Sequence, residues 1–338
     1  MRYALTIGFI TYGKSTAKYL PYFLSSLKNQ TFKEYNIISF DNTENFDNEN
    51  IDYIKNNYPG IEILRAGENI GFARAYNKMI GKAVEAGAEY FLAINPDIIL
   101  EPDAVEKMVK TMDSDGALGS VCPKILRFYL TPQPPLLNSR GGVNFEVKKT
   151  NIIDTCGIQL KPGLRFIDAR QGQIDYSSSS GQAILGPSGA AAMYRIDALN
   201  KVKQGDEYFD ELMFMYKEDC DLAYRLFLAG FQSKCVNGAI VYHDRTARAK
   251  GESNLQVALN RKNKNKQIKK WSFLGQQIIF VKYWKQQNFW NKSTIIWHEI
   301  KMLIFILLFE QYLFGQFVKL WEMRKKISYK SYKSLQKN

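Results

Sequence analysis

"YFLAINPDIILEPDAV", residues 90–105, carries five apolar residues and then breaks at Asn95-Pro96-Asp97. Proline has no N–H to give a strand ladder, and it moves the residue before it out of the helical region. The run therefore reads as a buried strand ending on a rigid turn, with the Asp97 carboxylate aimed in a fixed direction. A turn that simply caps the following helix satisfies the same residues. The neighbours of the stretch decide between the two.

Upstream, "YALTIGFI", "YNIISF" and "IEILR" are strand-like. Between them "TAKYLPYFLSSLKNQ", "NENIDYIKNNY" and "GFARAYNKMIGKAVEAG" carry apolar residues at helical spacing. Alternation of strand and helix from residue 3 to about 125 predicts an α/β fold, a mostly parallel central sheet flanked by helices. Ligands of such sheets bind beyond the carboxyl ends of the strands. Those ends are Thr11-Tyr12-Gly13, Asp41-Asn42, Arg65 and Asn95-Pro96-Asp97, so polar groups converge on one crevice. That convergence favours a ligand role for Asp97 over a plain cap.

Downstream, residues 128–182 break the rhythm. "YLTPQPPLLNSRGGVNF" and "DYSSSSGQ" are rich in Pro, Gly and Ser and predict long loops around a hairpin near "IIDTCGIQLKPGLRFIDARQ". Regular structure resumes at "AILGPSGAAAMYRIDAL", a helix opens at "KEDCDLAYRLFLAG", and strand-like "FQSKCV" and "AIVYH" follow. The 338 residues suit one large α/β domain or two smaller ones. The opening "MRYALTIGFITYGKS" lacks a signal-peptide cleavage pattern. Cys122, Cys156, Cys220 and Cys235 form no CxxC pair and read as reduced cytosolic thiols.

Charge divides the chain more sharply than composition does. Residues 1–244 hold 26 Lys/Arg against 29 Asp/Glu, residues 245–292 twelve against one, and residues 293–338 eight against three. The net +13 therefore belongs to the C-terminal quarter and calls for an anionic partner there. Residues 271–326 are rich in Trp, Phe, Ile and Leu, but Lys282, Lys285, Lys292, Glu299, Lys301, Glu310 and Lys319 interrupt every window that could span a bilayer. The expectation is amphipathic helices with aromatic edges lying in the interface of an anionic leaflet, against the alternative of helices packed on the body as core. No nucleic-acid-binding motif accompanies the charge, so nucleic acid is not an expected partner. The expected division is a catalytic domain over 1–245, with halves 1–125 and 126–245, and a basic helical region over 246–338.

Four stretches can carry chemistry. "GFITYGKS", residues 8–15, fits the phosphate-loop pattern, which would make the chain a nucleotide hydrolase acting through Lys14 and Ser15. Phe9, Ile10, Thr11 and Tyr12 are too bulky for such a loop and look like strand. In "GENIGFARAYNKMIGKAVEAG", Asn69 precedes Gly71, which opens a helix whose first N–H groups can face an anion, and Arg74 and Asn77 share a face at i, i+3. In "FDELMFMYKEDCDLAYRLFLAG", Glu218, Asp219 and Asp221 crowd a first helical turn. Repulsion between Glu218 and Asp219 raises one pKa towards that of a useful base, while Asp221 reads as structural. His243 ends "AIVYHDR", where an Asp on a nearby turn makes a metal role reasonable.

Together "ENIGFARAYN", "INPD", "GPSGAAAMYR" and "YKEDCDLAYRLFLAGF" resemble the family 2 glycosyltransferases of the GT-A fold, in particular the bacterial rhamnosyltransferase-like branch, over residues 3–245. The resemblance implies that Asp41 holds the nucleotide base, with Thr11, Tyr12 and Gly13 lining its pocket and Asn42, Arg65, Asn69, Gly71, Arg74, Asn77 and Asn95 around the donor nucleotide. Asn95-Pro96-Asp97 stands where the family carries its DxD signature, so Asp97 with His243 would hold Mg²⁺ or Mn²⁺ on the diphosphate. Asp219, beside Glu218, would be the general base, with Ser188, Gly189, Ala190 and Arg225 near donor sugar and acceptor. One departure stands out: the first strand ends on Gly13 where the family usually has Asn. The implied activity is inverting transfer from a nucleotide sugar, dTDP-rhamnose first and UDP-hexoses next. The acceptor would be a glycan or a polyprenyl-linked precursor of cell-wall polysaccharide, met at the cytoplasmic face of the plasma membrane by a peripheral enzyme. A catalytically silent scaffold on the same fold is the remaining alternative.

Overall fold

The computed structural model describes residues 4–132, 145–176, 182–244 and 265–336. The first half is built of β1 (Leu5–Thr11), α1 (Gly13–Ala17), α2 (Leu20–Lys28), β2 (Tyr35–Asp41), α3 (Glu49–Asn57), β3 (Glu62–Arg65), α4 (Gly71–Glu85), β4 (Tyr90–Ile94), β5 (Ile98–Leu100) and α5 (Ala104–Ser114). The second half adds β6 (Leu118–Pro132), β7 (Phe145–Thr155), the hairpin β8 (Ile158–Lys161) and β9 (Arg165–Asp168), β10 (Gln182–Ile184), β11 (Ala191–Arg195), α6 (Ile196–Val202), α7 (Glu218–Leu228) and β12 (Gln232–His243). Three long helices follow, α8 (Lys266–Tyr283), α9 (Phe289–Phe309) and α10 (Phe314–Gln336).

One large sheet organises the body, in the order β10-β12-β6-β11-β4-β1-β2-β3. β3, β2, β1 and β4 pair in parallel, as strand–helix alternation requires. β11 then enters antiparallel between β4 and β6, so the sheet as a whole is mixed. Period-two alternation sends side chains of one strand to two cores. Leu92 and Ile94 of β4 pack with α2 and α5, while Phe91 and Ala93 pack with α4, α6 and α7. The sheet is covered on both faces.

The stretch expected as long loops contains more order than its composition suggests. β6 runs through Pro132 and pairs antiparallel with β7, and β8–β9 form the hairpin. The Pro-, Gly- and Ser-dense pieces at 133–144 and 177–181 lie outside the described residues, as does the basic stretch 245–264.

The C-terminal helices divide. α8 packs on the body, burying Phe273, Ile278, Ile279, Phe280 and Tyr283. Its Lys282, fully buried, donates to Asp210 Oδ2 at 2.8 Å and to Asp221 Oδ1 at 2.7 Å. Lys330 of α10 reaches Asp210 Oδ1 at 2.5 Å and Arg225 pairs with Asp221 Oδ2 at 2.8 Å. Burial alone would raise the Asp210 and Asp221 carboxyls, but the surrounding cations outweigh it and hold both below the usual range. α9, by contrast, buries only Ile295 and Ile306.

Candidate active site

Strand register assembles the first half of the site. Pro96 ends β4, and the chain turns through Asp97 into β5, which pairs antiparallel with β12 so that Ile98 faces His243. β12 lies parallel to β6 with His243 beside Arg127, and β6 carries β7 with Leu126 beside Ile153. Four segments distant in sequence thus meet. His243 Nε2 lies 3.3 Å from Asp97 Oδ2, and its Nδ1 lies 2.9 Å from Asp154 Oδ2. Arg127 Nε is 3.6 Å from Asp154 Oδ1. Burial opposes charge on the imidazole, but Asp97 and then Asp154 outweigh it and raise the His243 pKa to about 10. Asp97 Oδ1 is buried and has no hydrogen-bond partner. Next to it, Asp244 donates its N–H to the Asp97 carbonyl and accepts from the Tyr19 hydroxyl at 2.7 Å.

This corner fits a divalent cation. Asp97 offers one carboxylate oxygen, Oδ1, buried without a partner, and its other oxygen, Oδ2, lies beside an imidazole nitrogen whose far nitrogen is fixed by a second carboxylate, as is usual for metal-ligating histidine. Two protein donors do not enclose an ion, and among the described residues no group of three or more His, Cys, Asp or Glu is placed to do so. The remaining coordination positions fall to oxygens of a ligand and to water.

The second half stands on α7. Asp219, in its first turn, accepts from the Gly189 N–H on Oδ2 at 3.0 Å and from the Cys220 N–H on Oδ1 at 2.7 Å. Gly189 precedes β11, whose Ala191 pairs with Ile94, and Ala190 accepts from the Asn95 N–H. The sheet therefore delivers Asp219's anchor to the same edge as Asp97. Ser188 Oγ is buried there without a hydrogen-bond partner. Glu218 points the other way, into the interior, with Oε2 unpartnered. Burial first, and the charge of Asp219 second, push its carboxyl well above the usual range. The pKa rise expected from this adjacent pair thus falls on Glu218, its buried member.

The loop before α7 is strained. Tyr216 and Lys217 both have left-handed backbone, φ 72° and 80°. For non-glycine residues this costs of order 1–3 kcal/mol each. Two glycines allow the clamp that holds it. A Cβ on Gly275 of α8 would come 2.7 Å from the Tyr216 carbonyl oxygen, and one on Gly71, itself at φ 83°, would come 2.5 Å from that of Phe214. The Phe214 ring stacks on Trp271 of α8 with centroids 4.8 Å apart. Helix α8 is therefore part of the frame that holds the loop leading into Asp219.

Several expected nucleotide contacts are otherwise engaged. The free N–H groups expected at the start of α4 are used internally: Ile70 donates to Asn42, Gly71 to Asn69, and Phe72 to the Phe214 carbonyl. Asn77 accepts from the Tyr208 and Phe209 N–H groups and donates to Phe209 and Glu211, so it ties down the 208–211 loop. Arg74 pairs with Glu211. Arg225, expected near the sugar, is buried against Asp221, Val202 and Tyr208. A side chain whose polar atoms are all satisfied within the fold has nothing left to offer a ligand. Asp41 is fully buried, accepting from Thr11, Thr43 and Asn48 and pairing with Arg65 at 3.1 Å. Arg65 also donates to carbonyls of the 43–46 loop. Tyr12 stays exposed beside Gly13, at φ 49°, whose N–H donates to Thr43.

The phosphate-loop pattern is not a phosphate loop. β1 continues through Thr11, Gly8 lies inside it where a Cβ would come 2.4 Å from the Phe91 ring, and Lys14 reaches only Glu49, at 4.0 Å with its side chain 91% exposed. Sequence reasoning missed Asp154, Asp244 and Gly275. Asp154 left a signal, a lone charge inside the apolar run "NIIDTC". Gly275 left none, because its partner loop lies about sixty residues away.

With this geometry in place, comparison with known proteins is direct. The signature of Glycosyl transferase family 2 matches residues 6–202, and that of Glycosyl transferase family group 2 matches residues 164–320. The chain is a family 2 glycosyltransferase. It is similar to an N-acetylglucosaminyl-diphospho-decaprenol L-rhamnosyltransferase of Mycobacterium tuberculosis, 27% identical over 71% of this chain and 75% of that protein. Among solved structures, GalNAc-T7 with UDP, GalNAc and Mn²⁺ superposes with a TM-score of 0.54 at 12% identity, over 84% of this chain and 51% of that one. S. aureus TarS 1–349 matches with a TM-score of 0.45 at 17% identity, over 71% and 60% of the two chains. The protein is thus a family 2 glycosyltransferase of GT-A fold, and it spans about half of the GalNAc-T7 chain.

Proposed function

We infer that the protein transfers a sugar, with inversion, from a nucleotide-sugar donor to a hydroxyl of a lipid-linked or cell-surface glycan, using Mg²⁺ or Mn²⁺ at Asp97 and His243. L-rhamnose from a dTDP donor is the first candidate, supported by the rhamnosyltransferase relative, and UDP-sugars come next. The diphospho-decaprenol in that relative's name supports a polyprenyl-diphosphate acceptor and a peripheral place on the inner face of the plasma membrane. The observation that carries the reading is the Asp97 carboxylate, whose Oδ1 is buried without a partner while its Oδ2 lies 3.3 Å from an imidazole braced by Asp154.

Asp219 takes the proton from the acceptor hydroxyl as its oxygen attacks the anomeric carbon. The new C–O bond forms on the face opposite the departing nucleoside diphosphate, which leaves with the electrons of the bond that breaks. The Gly189 and Cys220 N–H groups keep the carboxylate oriented for that transfer. A divalent cation, when bound, supplies charge neutralisation to the diphosphate leaving group.

Asp219→Asn keeps the size and one of the two accepted N–H bonds but cannot take a proton. Transfer is expected to fall roughly 10²–10⁴-fold while donor affinity is retained. Undiminished transfer by this variant would remove Asp219 from the mechanism.

A further inference from the structure

Helix α9 has 21 residues, about 31 Å of helix at 1.5 Å per residue. Lys292, Glu299 and Lys301 interrupt it, and no helix among the described residues is long and apolar enough to cross a membrane. Its inner side is narrow. Ile295 and Ile306 are buried, His298 meets the edge of Phe280 at 6.1 Å between centroids, and Glu299 accepts from Gln277 of α8 at 2.8 Å. The outer side is broad and apolar. Ile296, Ile300, Leu303, Ile304, Leu307 and Leu308 recur at helical spacing, and all are exposed. Trp290 (78% exposed) and Trp297 mark its edge, and Val318 and Trp321 of α10 extend it. Scattered exposed leucines are ordinary on soluble proteins, but a contiguous apolar face of this kind marks an interaction surface.

Charge identifies the occupant. Residues 245–338 hold 20 basic residues (12 + 8) against four acidic ones (1 + 3). Lys301, Lys319, Arg324, Lys325 and Lys326 are exposed on the same helices, and Lys285 is exposed on the turn that leads into α9. Lys301 Nζ lies 4.9 Å from the Trp297 ring centroid and the Arg324 guanidinium 3.5 Å from that of Trp321, so cationic heads sit over aromatic edges. A second copy would bring like charge to the contact. An aliphatic centre edged by tryptophan and rimmed by lysine and arginine matches the headgroup–acyl boundary of a bilayer containing anionic lipid.

We propose that the outer face of α9, continued by Val318 and Trp321, inserts into the surface of an anionic bilayer with the helix axis in the membrane plane. α8 stays on the protein side and holds the catalytic domain over the surface. That this brings the site to a lipid-borne acceptor rests on the transfer reading above; the bilayer contact itself does not.

The test is co-sedimentation of the full-length protein with vesicles of phosphatidylcholine alone or with phosphatidylglycerol, without donor or acceptor. The wild type is expected to bind the anionic vesicles and to leave the neutral ones largely free. Ile300→Glu/Leu307→Glu places charge on exposed positions, so its thermal midpoint should hold while its affinity for anionic vesicles drops roughly tenfold or more. Equal binding by wild type and variant overturns the proposal, as does a wild type that ignores the vesicles but forms a dimer the variant abolishes. Because no substrate is present, failure here leaves the transfer reading standing, and a failed transfer assay leaves this surface standing.

Discussion

Helices α8 and α9 follow one another, run 18 and 21 residues and are both rich in aromatics, yet one is built into the protein and the other lies on its outside. Apolar content does not separate them, since α9 is the more apolar of the two. Partners do. Lys282 of α8 meets two buried carboxylates, Lys269 pairs with Glu310 at 3.0 Å, and Gly275 lets the helix touch the loop before Asp219. The outer face of α9 meets nothing among the described residues comparable to that cluster. A lysine in an amphipathic pattern can thus mean a solvated rim or a buried anchor. The counter-charges that decide are supplied from positions 61 and 72 residues away in sequence.

The strongest way to break the comparison is Lys282→Met. Removing the cation leaves Asp210 and Asp221 buried with less compensation, and such changes cost about 3–5 kcal/mol. Chemical denaturation should show a loss of that order, whereas Ile300→Glu on α9 should stay within about 0.5 kcal/mol of wild type. A mild effect of Lys282→Met would mean that α8 is no more anchored than α9. Acid should probe the same anchor. The two carboxyls are held below their unfolded values, so their contribution is present above about pH 4 and is lost as pH falls through the lowered folded values. Wild type should therefore destabilise steeply below about pH 4. A stability that stays flat there would show that the cluster contributes nothing.

Gly275→Ala is a smaller and more selective probe. A methyl 2.7 Å from the Tyr216 carbonyl forces the strained loop to move, and Asp219 with it. Turnover is expected to drop roughly ten- to a hundredfold, with vesicle binding and donor affinity near wild type. Unchanged turnover would separate α8 from the catalytic frame.

Much of the N-terminal half of the sheet was legible in the sequence because its determinants are local. Strand–helix alternation predicts the parallel β3-β2-β1-β4 unit, and Pro96 predicts where β4 ends. A metal role for His243 beside an Asp on a turn was read from the residues, the family resemblance named Asp97 as its partner, and β5–β12 register brings the two together. What escaped reading is what tertiary contacts decide. Asn77 and Arg225 looked like ligand contacts, but their hydrogen bonds are spent on the 202–211 segment, which no spacing rule links to them. The start of α4 looked like an open anion site until Phe214 arrived from 142 residues away to accept the Phe72 N–H. The bulky strand in "GFITYGKS" was readable in advance, since Phe9 and Ile10 cannot line a phosphate loop.

The most direct test of the account is a thermal-shift titration of dTDP and UDP, with ATP for contrast, with and without Mn²⁺, on the wild type and on Asp97→Ala. Ligand at 100 times its Kd stabilises by about 2.7 kcal/mol, which a melting curve resolves readily. The account predicts a Mn²⁺-dependent shift with dTDP or UDP that Asp97→Ala abolishes. A shift with ATP alone, or one indifferent to both Mn²⁺ and Asp97, would contradict it.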